Sequence, residues 1–302
     1  MTKTHSSAAI QTISAVVKPN AHAPVKSAQS TSSGKGSTRR GSSRDQLIRG
    51  FHALGVDYRQ VIHSDSTLAE RYEERRTHMA RRAQKNLETI FKIALDYAPA
   101  STTHDNLDLD WLSIFIDHAQ QISNASMQQL WARILAAESN KPGSFAVRTL
   151  KILHRLTTRD ADVLTRAQSL TAYDLQHSSY KIITGYYRKP TIFTWVTLDH
   201  TAPLNIARAG LSYPDLLTLS DLGVLYPTAI ESAELQTDAN LALQFGNTRL
   251  QLQPKRRALV TTYYKYTAQG EELLRLLPAA NHEPFMQLLT DYCSKDFVVK
   301  YD

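Results

Sequence analysis

From Thr67 to Ala98 the chain carries one unbroken amphipathic pattern, TLAERYEERRTHMARRAQKNLETIFKIALDYA, with no Pro or Gly inside it. Thr67 and Glu70 stand at capping-box spacing: the Thr hydroxyl takes a first-turn N–H and the Glu carboxylate reaches back. Tyr72, Met79, Ala83, Leu87, Ile90 and Ala94 recur at helical steps and define a stripe for burial. Such a stripe must be covered by neighbouring elements, so the pattern commits this part of the chain to a helical assembly. About a quarter-turn away run Arg71, Arg75, His78, Arg82 and Lys85, a basic ridge. Glu70, Glu73, Glu74 and Glu88 lie among them at helical pairing distance, so the ridge reads first as a solvated face. Its second reading is a surface that follows phosphates or an acidic partner.

Further helices are expected after it. Asp108 or Asp110 caps a segment with Trp111, Leu112, Phe115, Ile116 and Ala119 inward. The next, ASMQQLWARILAAES, directs Met127, Leu130, Trp131, Ile134 and Leu135 inward, with Glu138 one turn beyond Ile134 on that face. A carboxylate at a helix C-terminus opposes the dipole, so a buried Glu138 needs a specific partner. Two are near in sequence, a cap at Ser144 and the Arg148 guanidinium, and Arg148 is the expected one. Pro142 and Gly143 end this helix, Ser144 opens the next, and Thr157 or Thr158 opens one more.

The run from Asp108 to Val163 resembles a family of uncharacterised bacterial proteins known only as a domain of unknown function. The resemblance rests on Trp131, Ala132, Arg133, Ile134, Leu135, Ala136 and Glu138, then Pro142, Gly143, Ser144 and Phe145, then Arg148, Thr149 and Leu150. Asp110, Trp111, Leu112, Phe115, Asn86, Leu87 and Ile90 also match. Ala137 stands where the family usually has Gly, and Ala146 where it often has Ser; neither change threatens the helical hairpin. The resemblance implies a bacterial, cytoplasmic protein and implies no activity. Packing is the expected role of Trp131, Arg133 and Glu138.

The second half changes character. SYKIITGYYRKPTIFTWVTL, residues 179–198, is β-branched and aromatic and reads as one or two strands. LNIARAG and YPDLLTLSDLGVL read as two short helices, with Ser212 as a cap and Gly223 as a stop. LALQF and TRLQL alternate about Gly246 and Asn247 as a hairpin, and the strand ALVTTYYKY enters a helix through Thr267. This order resembles the end of winged-helix domains. Lys255, Arg256 and Arg257 then look like a phosphate-contacting wing tip, but residues 214–223 offer no Arg, Lys, Asn or Gln to read base edges. The expected fold is therefore α+β. A disordered basic tail (1–44) precedes a mainly helical domain (45–170), a long helix plus a helical hairpin, and a winged-helix-like α+β domain (171–302).

The charge belongs to the tail. Its seven basic residues, Lys3, Lys18, Lys26, Lys35, Arg39, Arg40 and Arg44, face no carboxylate, and the segment has no Leu or aromatic residue, a composition of disorder. Removing those seven from the 35 Lys and Arg leaves 28, equal to the 28 Asp and Glu, so the net +7 is no argument for nucleic-acid binding by the body. A phosphate-loop reading of SSGKGST fails because Gly36 follows Lys35 where Ser or Thr is required. One cysteine, Cys293, excludes an internal disulfide and a multi-cysteine metal site, and fits a cytoplasmic protein. No apolar run approaches the ~20 residues of a membrane span. No metal and no cofactor are expected.

Catalytic motifs are missing apart from one pairing, Arg148 and His154, an arginine and a histidine spaced as in some helical ribonucleases. Three functional expectations follow. The first is a non-enzymatic protein acting through a protein partner or self-association; a weak resemblance to abortive-infection proteins suggests phage defence. The second is sequence-independent nucleic-acid binding through the tail, Arg71, Arg75, Arg82, Lys85, Lys255, Arg256 and Arg257. The third is a metal-independent ribonuclease using Arg148 and His154.

Overall fold

The structure is a computed structural model that describes residues 42–63, 65–99, 106–189, 203–278, 280 and 282–301. The expected tail lies outside these residues except for Ser42–Arg44, which already belong to a helix and its cap. The Pro190–Leu198 part of the expected strand region also lies outside them. The fold is mixed α+β, and its contacts divide the chain into two compact units.

The first unit takes the described residues from Ser42 to Pro99 and residues 112–136. It contains α1 (Ser43–Ala53), α2 (Tyr58–His63), α3 (Leu68–Tyr97), most of α4 (Leu109–Ala119) and most of α5 (Ala125–Asn140). The expected capping box opens α3: Thr67 accepts the Glu70 N–H, and the Glu70 carboxylate accepts the Thr67 N–H at 2.7 Å. Ile90 and Ala94 are buried on the predicted stripe, and with them Asn86. Tyr72 departs from the expectation and is 58% exposed. Only the C-terminal half of α3 is deeply covered, so the apolar stripe continues past the core that covers it.

Polar groups fix the pairing of α3 with the α4–α5 turn. The Asn86 amide donates to the Gln120 carbonyl (2.9 Å) and Ser123 hydroxyl (3.1 Å), and the buried Gln128 amide donates to the Ile122 carbonyl (2.9 Å). Arg82 reaches the same Ser123 hydroxyl through Nη2 at 2.7 Å. A satisfied buried network penalises every slipped register, because a slip leaves amides unpaired in a low-dielectric interior. Phe115 and Trp131 meet beside it with ring centroids 5.2 Å apart.

The second unit takes residues 106–111 and the described residues from Ala137 to Tyr301. Its helices are α6 (Val147–Arg155), α7 (Thr158–Ser169), α8 (Tyr213–Asp221), α9 (Ala268–Leu274) and α10 (Glu283–Cys293). Its strands are β1 (Ala172–Asp174), β2 (Ser179–Arg188), β3 (Ile230–Glu231), β4 (Leu241–Phe245), β5 (Thr248–Pro254), β6 (Leu259–Lys265) and β7 (Phe297–Tyr301). They form one sheet in the order β3-β6-β2-β1-β4-β5-β7, antiparallel at every pairing.

Local signals are obeyed here. Thr157 and Ser212 cap α7 and α8 in capping boxes with Asp160 and Asp215, and Gly223 stops α8 in the left-handed region at φ 79°. LNIARAG forms only a 3₁₀ turn, Ile206–Ala209. β4 and β5 form the expected hairpin, with Phe245 opposite Thr248. β5 and β6, however, are not neighbours: β5 pairs with β4 and β7, and β6 with β2 and β3. Lys255, Arg256 and Arg257 therefore lie on a crossover and not at the tip of a two-stranded wing. Alternation within each strand is legible in the sequence, whereas the order in which distant strands meet is not.

Candidate functional site

Four of the residues behind the family resemblance, Trp111, Glu138, Gly143 and Phe145, meet at the α5–α6 loop. Glu138, in the last turn of α5 and 2% exposed, turns its carboxylate onto backbone N–H groups of the next loop. It accepts from Gly143 at 2.6 Å and from Phe145 at 2.8 Å. Gly143 has φ 83°, which lets the chain reverse so that both N–H groups face one carboxylate. The Phe145 carbonyl accepts from the buried indole of Trp111 at 2.7 Å, and the Phe145 ring is itself buried.

The expected partner of Glu138 is thus corrected. No ion pair joins Glu138 to Arg148 among the described residues, and Arg148 lies exposed on α6. The Ser144 expectation is also corrected: its hydroxyl donates to the Lys141 carbonyl at 2.6 Å, and α6 starts only at Val147 with Ala146 as N-cap. Ala146 has no side-chain oxygen to serve as a cap. Glu272 of α9 supplies one from across the unit, accepting the Ala146 N–H at 2.8 Å and the Thr149 hydroxyl at 2.5 Å.

Two carboxylates thereby occupy the positive end of the α6 dipole, where negative charge is stabilised. The N–H groups of Gly143, Phe145 and Ala146, which elsewhere make a phosphate cradle, are already taken by this chain's own side chains. Chemically the loop is a closed structural knot that binds α5, α6 and α9.

The candidate catalytic residues lie on one helix. Arg148 and His154 share α6 but sit six residues apart, about 120° around the helix axis and about 9 Å along it. Arg148 is exposed there and His154 half-buried. The basic candidates are partly spent on the chain itself. Arg71 donates to the Ser66 carbonyl, Arg82 to Ser123, and Lys255 to the Ser294 carbonyl at 2.6 Å. Arg256 lies 3.4 Å from Asp296. Arg75, Lys85 and Arg257 are exposed. Arg133 lies over the Tyr97 ring at 5.2 Å, and the buried Trp131 indole N–H has no hydrogen-bond partner among the described residues.

A buried ionic cluster was not anticipated from sequence. Asp174 at the end of β1 accepts from Lys181 Nζ at 2.5 Å and is 2.8 Å from His177 Nδ1, while Nζ also sits 4.2 Å from the Tyr263 ring centre. Burial works to raise the Asp174 pKa, but the hydrogen bonds from Lys181 and His177 and the Lys181 charge outweigh it and hold it at about 2. Burial pushes the Cys293 thiol up to about 12, so the one cysteine stays protonated at neutral pH. No group of three His, Cys, Asp or Glu able to hold a metal ion occurs among the described residues. No helix among them is long and apolar enough to cross a membrane.

The chain matches the family described as "protein of unknown function (DUF2806)" over residues 70–290, and it belongs to that family. No curated protein and no solved structure matches it.

Proposed function

We propose that the protein acts by contact with another protein and not by catalysis. One observation carries this reading: α1 and α2 have no buried residue, yet with Leu54 at the α1 C-cap they hold six large apolar side chains facing solvent. Leu47 and Phe51 recur at helical steps on α1 with Leu54 at its C-cap, and Tyr58, Val61 and Ile62 lie along α2, with Leu47 and Val61 each 63% exposed. Leu68 (76%) and Tyr72 extend this exposure onto the start of α3. Scattered exposed apolar residues are ordinary, but repeated stripes on short helices mark an interaction surface. Helices of 11 and 6 residues are also marginal alone in water, so a partner that covers them stabilises them. The α5–α6 loop, whose N–H groups are already taken by Glu138 and Glu272, supports a non-enzymatic role. A bacterial cytoplasmic setting, with phage defence as its context, belongs to this reading.

The test replaces Leu47, Phe51 and Val61 together by Ser in the full chain. Because no buried contact is removed, stability should move by less than about 0.5 kcal/mol per site, while protein species captured by cross-linking in the producing cell disappear. Unchanged capture, or unfolding of the variant, contradicts the reading.

A further inference from the structure

The α1 surface contains a residue that its own fold does not explain. Gly50 sits mid-helix, where glycine costs about 1 kcal/mol relative to Ala, and a Cβ built on it meets nothing within 4 Å. Among the described residues no turn, clash or close approach requires the missing side chain. The residue lies on the edge of the exposed stripe, beside Phe51, which is 57% exposed. Leu47, Gly50, Phe51 and Leu54 fall at i, i+3, i+4 and i+7, a spacing symmetric about its midpoint. A twofold interface demands that symmetry, because each residue i must meet j while j meets i.

We propose that α1 pairs antiparallel with α1 of a second copy of this chain, about an axis between Gly50 and Phe51. The pairing rests on the reading of α1 as a protein-contact surface and names its occupant. In this register Leu47 of each copy meets Leu54 of the other, and each Phe51 ring seats on the other's Gly50. The bare glycine supplies the hole that the phenylalanine fills, which accounts for both features at once. Asp45, Arg49 and His52 lie on the far side of α1, about 100° or more from the centre of the stripe, so no like charges are forced together. One such helix pair covers about 400 Å² per copy, half of a standard interface, so association should be weak, with a dissociation constant of about 10–100 µM.

Sedimentation velocity on the full 33.9 kDa chain across this concentration range tests the pairing. A reversible dimer is expected, with Phe51→Ser weakening it about tenfold or more. Gly50→Leu discriminates best. It raises helix propensity and so firms α1, yet it fills the hole and must weaken the dimer comparably; a dimer unaffected by it overturns the proposal. Register is read by mixing Leu47→Cys chains with Leu54→Cys chains under oxidation. The mixture should form disulfide-linked dimers and Leu47→Cys alone should not, whereas equal linking in both contradicts the register. A chain that stays monomeric at several hundred micromolar sinks the second-copy occupant. If cross-linking from α1 in cells still captures a different protein, the contact reading stands without it; if it captures nothing, that reading falls as well.

Discussion

Replacing Glu138 by Ala removes a buried carboxylate that holds two backbone donors, Gly143 N–H at 2.6 Å and Phe145 N–H at 2.8 Å. Gly143 is exposed, so water can take over its N–H. Phe145 is buried, so its N–H is left without an acceptor. A hydrogen bond to a charged group contributes about 1.5–3 kcal/mol, and a stranded buried donor costs about 1–3 kcal/mol, partly the same energy counted from the other side. A total loss of about 3 kcal/mol is expected. Glu138→Gln should recover little, since its amide nitrogen must oppose one of the two N–H groups. Urea unfolding of both variants, with hydrogen exchange at Phe145, reads the loss. Arg148→Ala should cost less than about 0.5 kcal/mol and add to Glu138→Ala within a similar margin. A strongly non-additive cycle would restore the Glu138–Arg148 ion pair and refute the reasoning.

Three further outcomes follow from the same unit. Glu272→Ala strips α6 of the cap supplied from α9 and should cost about 1–2 kcal/mol by denaturant titration; an unchanged midpoint would mean that water caps α6 equally well. Gly270→Ala places a Cβ 2.1 Å from the Val224 carbonyl oxygen, a backbone atom that cannot swing aside, so a loss above about 3 kcal/mol or failure to fold is expected. Wild-type melting temperature there would show that α9 shifts freely. Asp174 is held low, so its stabilisation is complete above its ordinary carboxylate pKa and fades as pH falls through about 2. Asp174→Asn should lose stability at pH 7, and the gap to wild type should narrow below about pH 4; a gap constant down to pH 2 contradicts the assignment.

What the sequence made legible was local. The Thr67–Glu70 box and the caps at Thr157 and Ser212 each act over four consecutive residues, and the β4–β5 hairpin turns on two, so chain chemistry alone decides them. Distance in sequence hid the rest. Glu272 caps a helix 126 residues away from it, and nothing around Ala146 announces that its cap comes from elsewhere. Arg148 was the obvious partner for Glu138 because charges attract. In the fold, backbone donors of a tight loop were nearer and needed pairing more, since a buried N–H has no recourse to solvent. The Tyr72 expectation failed for a related reason: periodicity tells which face of α3 is apolar, and it does not tell where the covering helices end. The helices α1 and α2 and their exposed stripes were not anticipated from sequence; only burial separates a core stripe from a contact stripe.

The central claim, that the α1–α2 surface meets protein, is tested most directly by a photoreactive side chain placed at Phe51 in the producing cell, with one at the exposed Arg155 as control. Protein adducts are expected at position 51 and none at 155. Adducts to RNA or DNA at position 51, or none above the control, would contradict it.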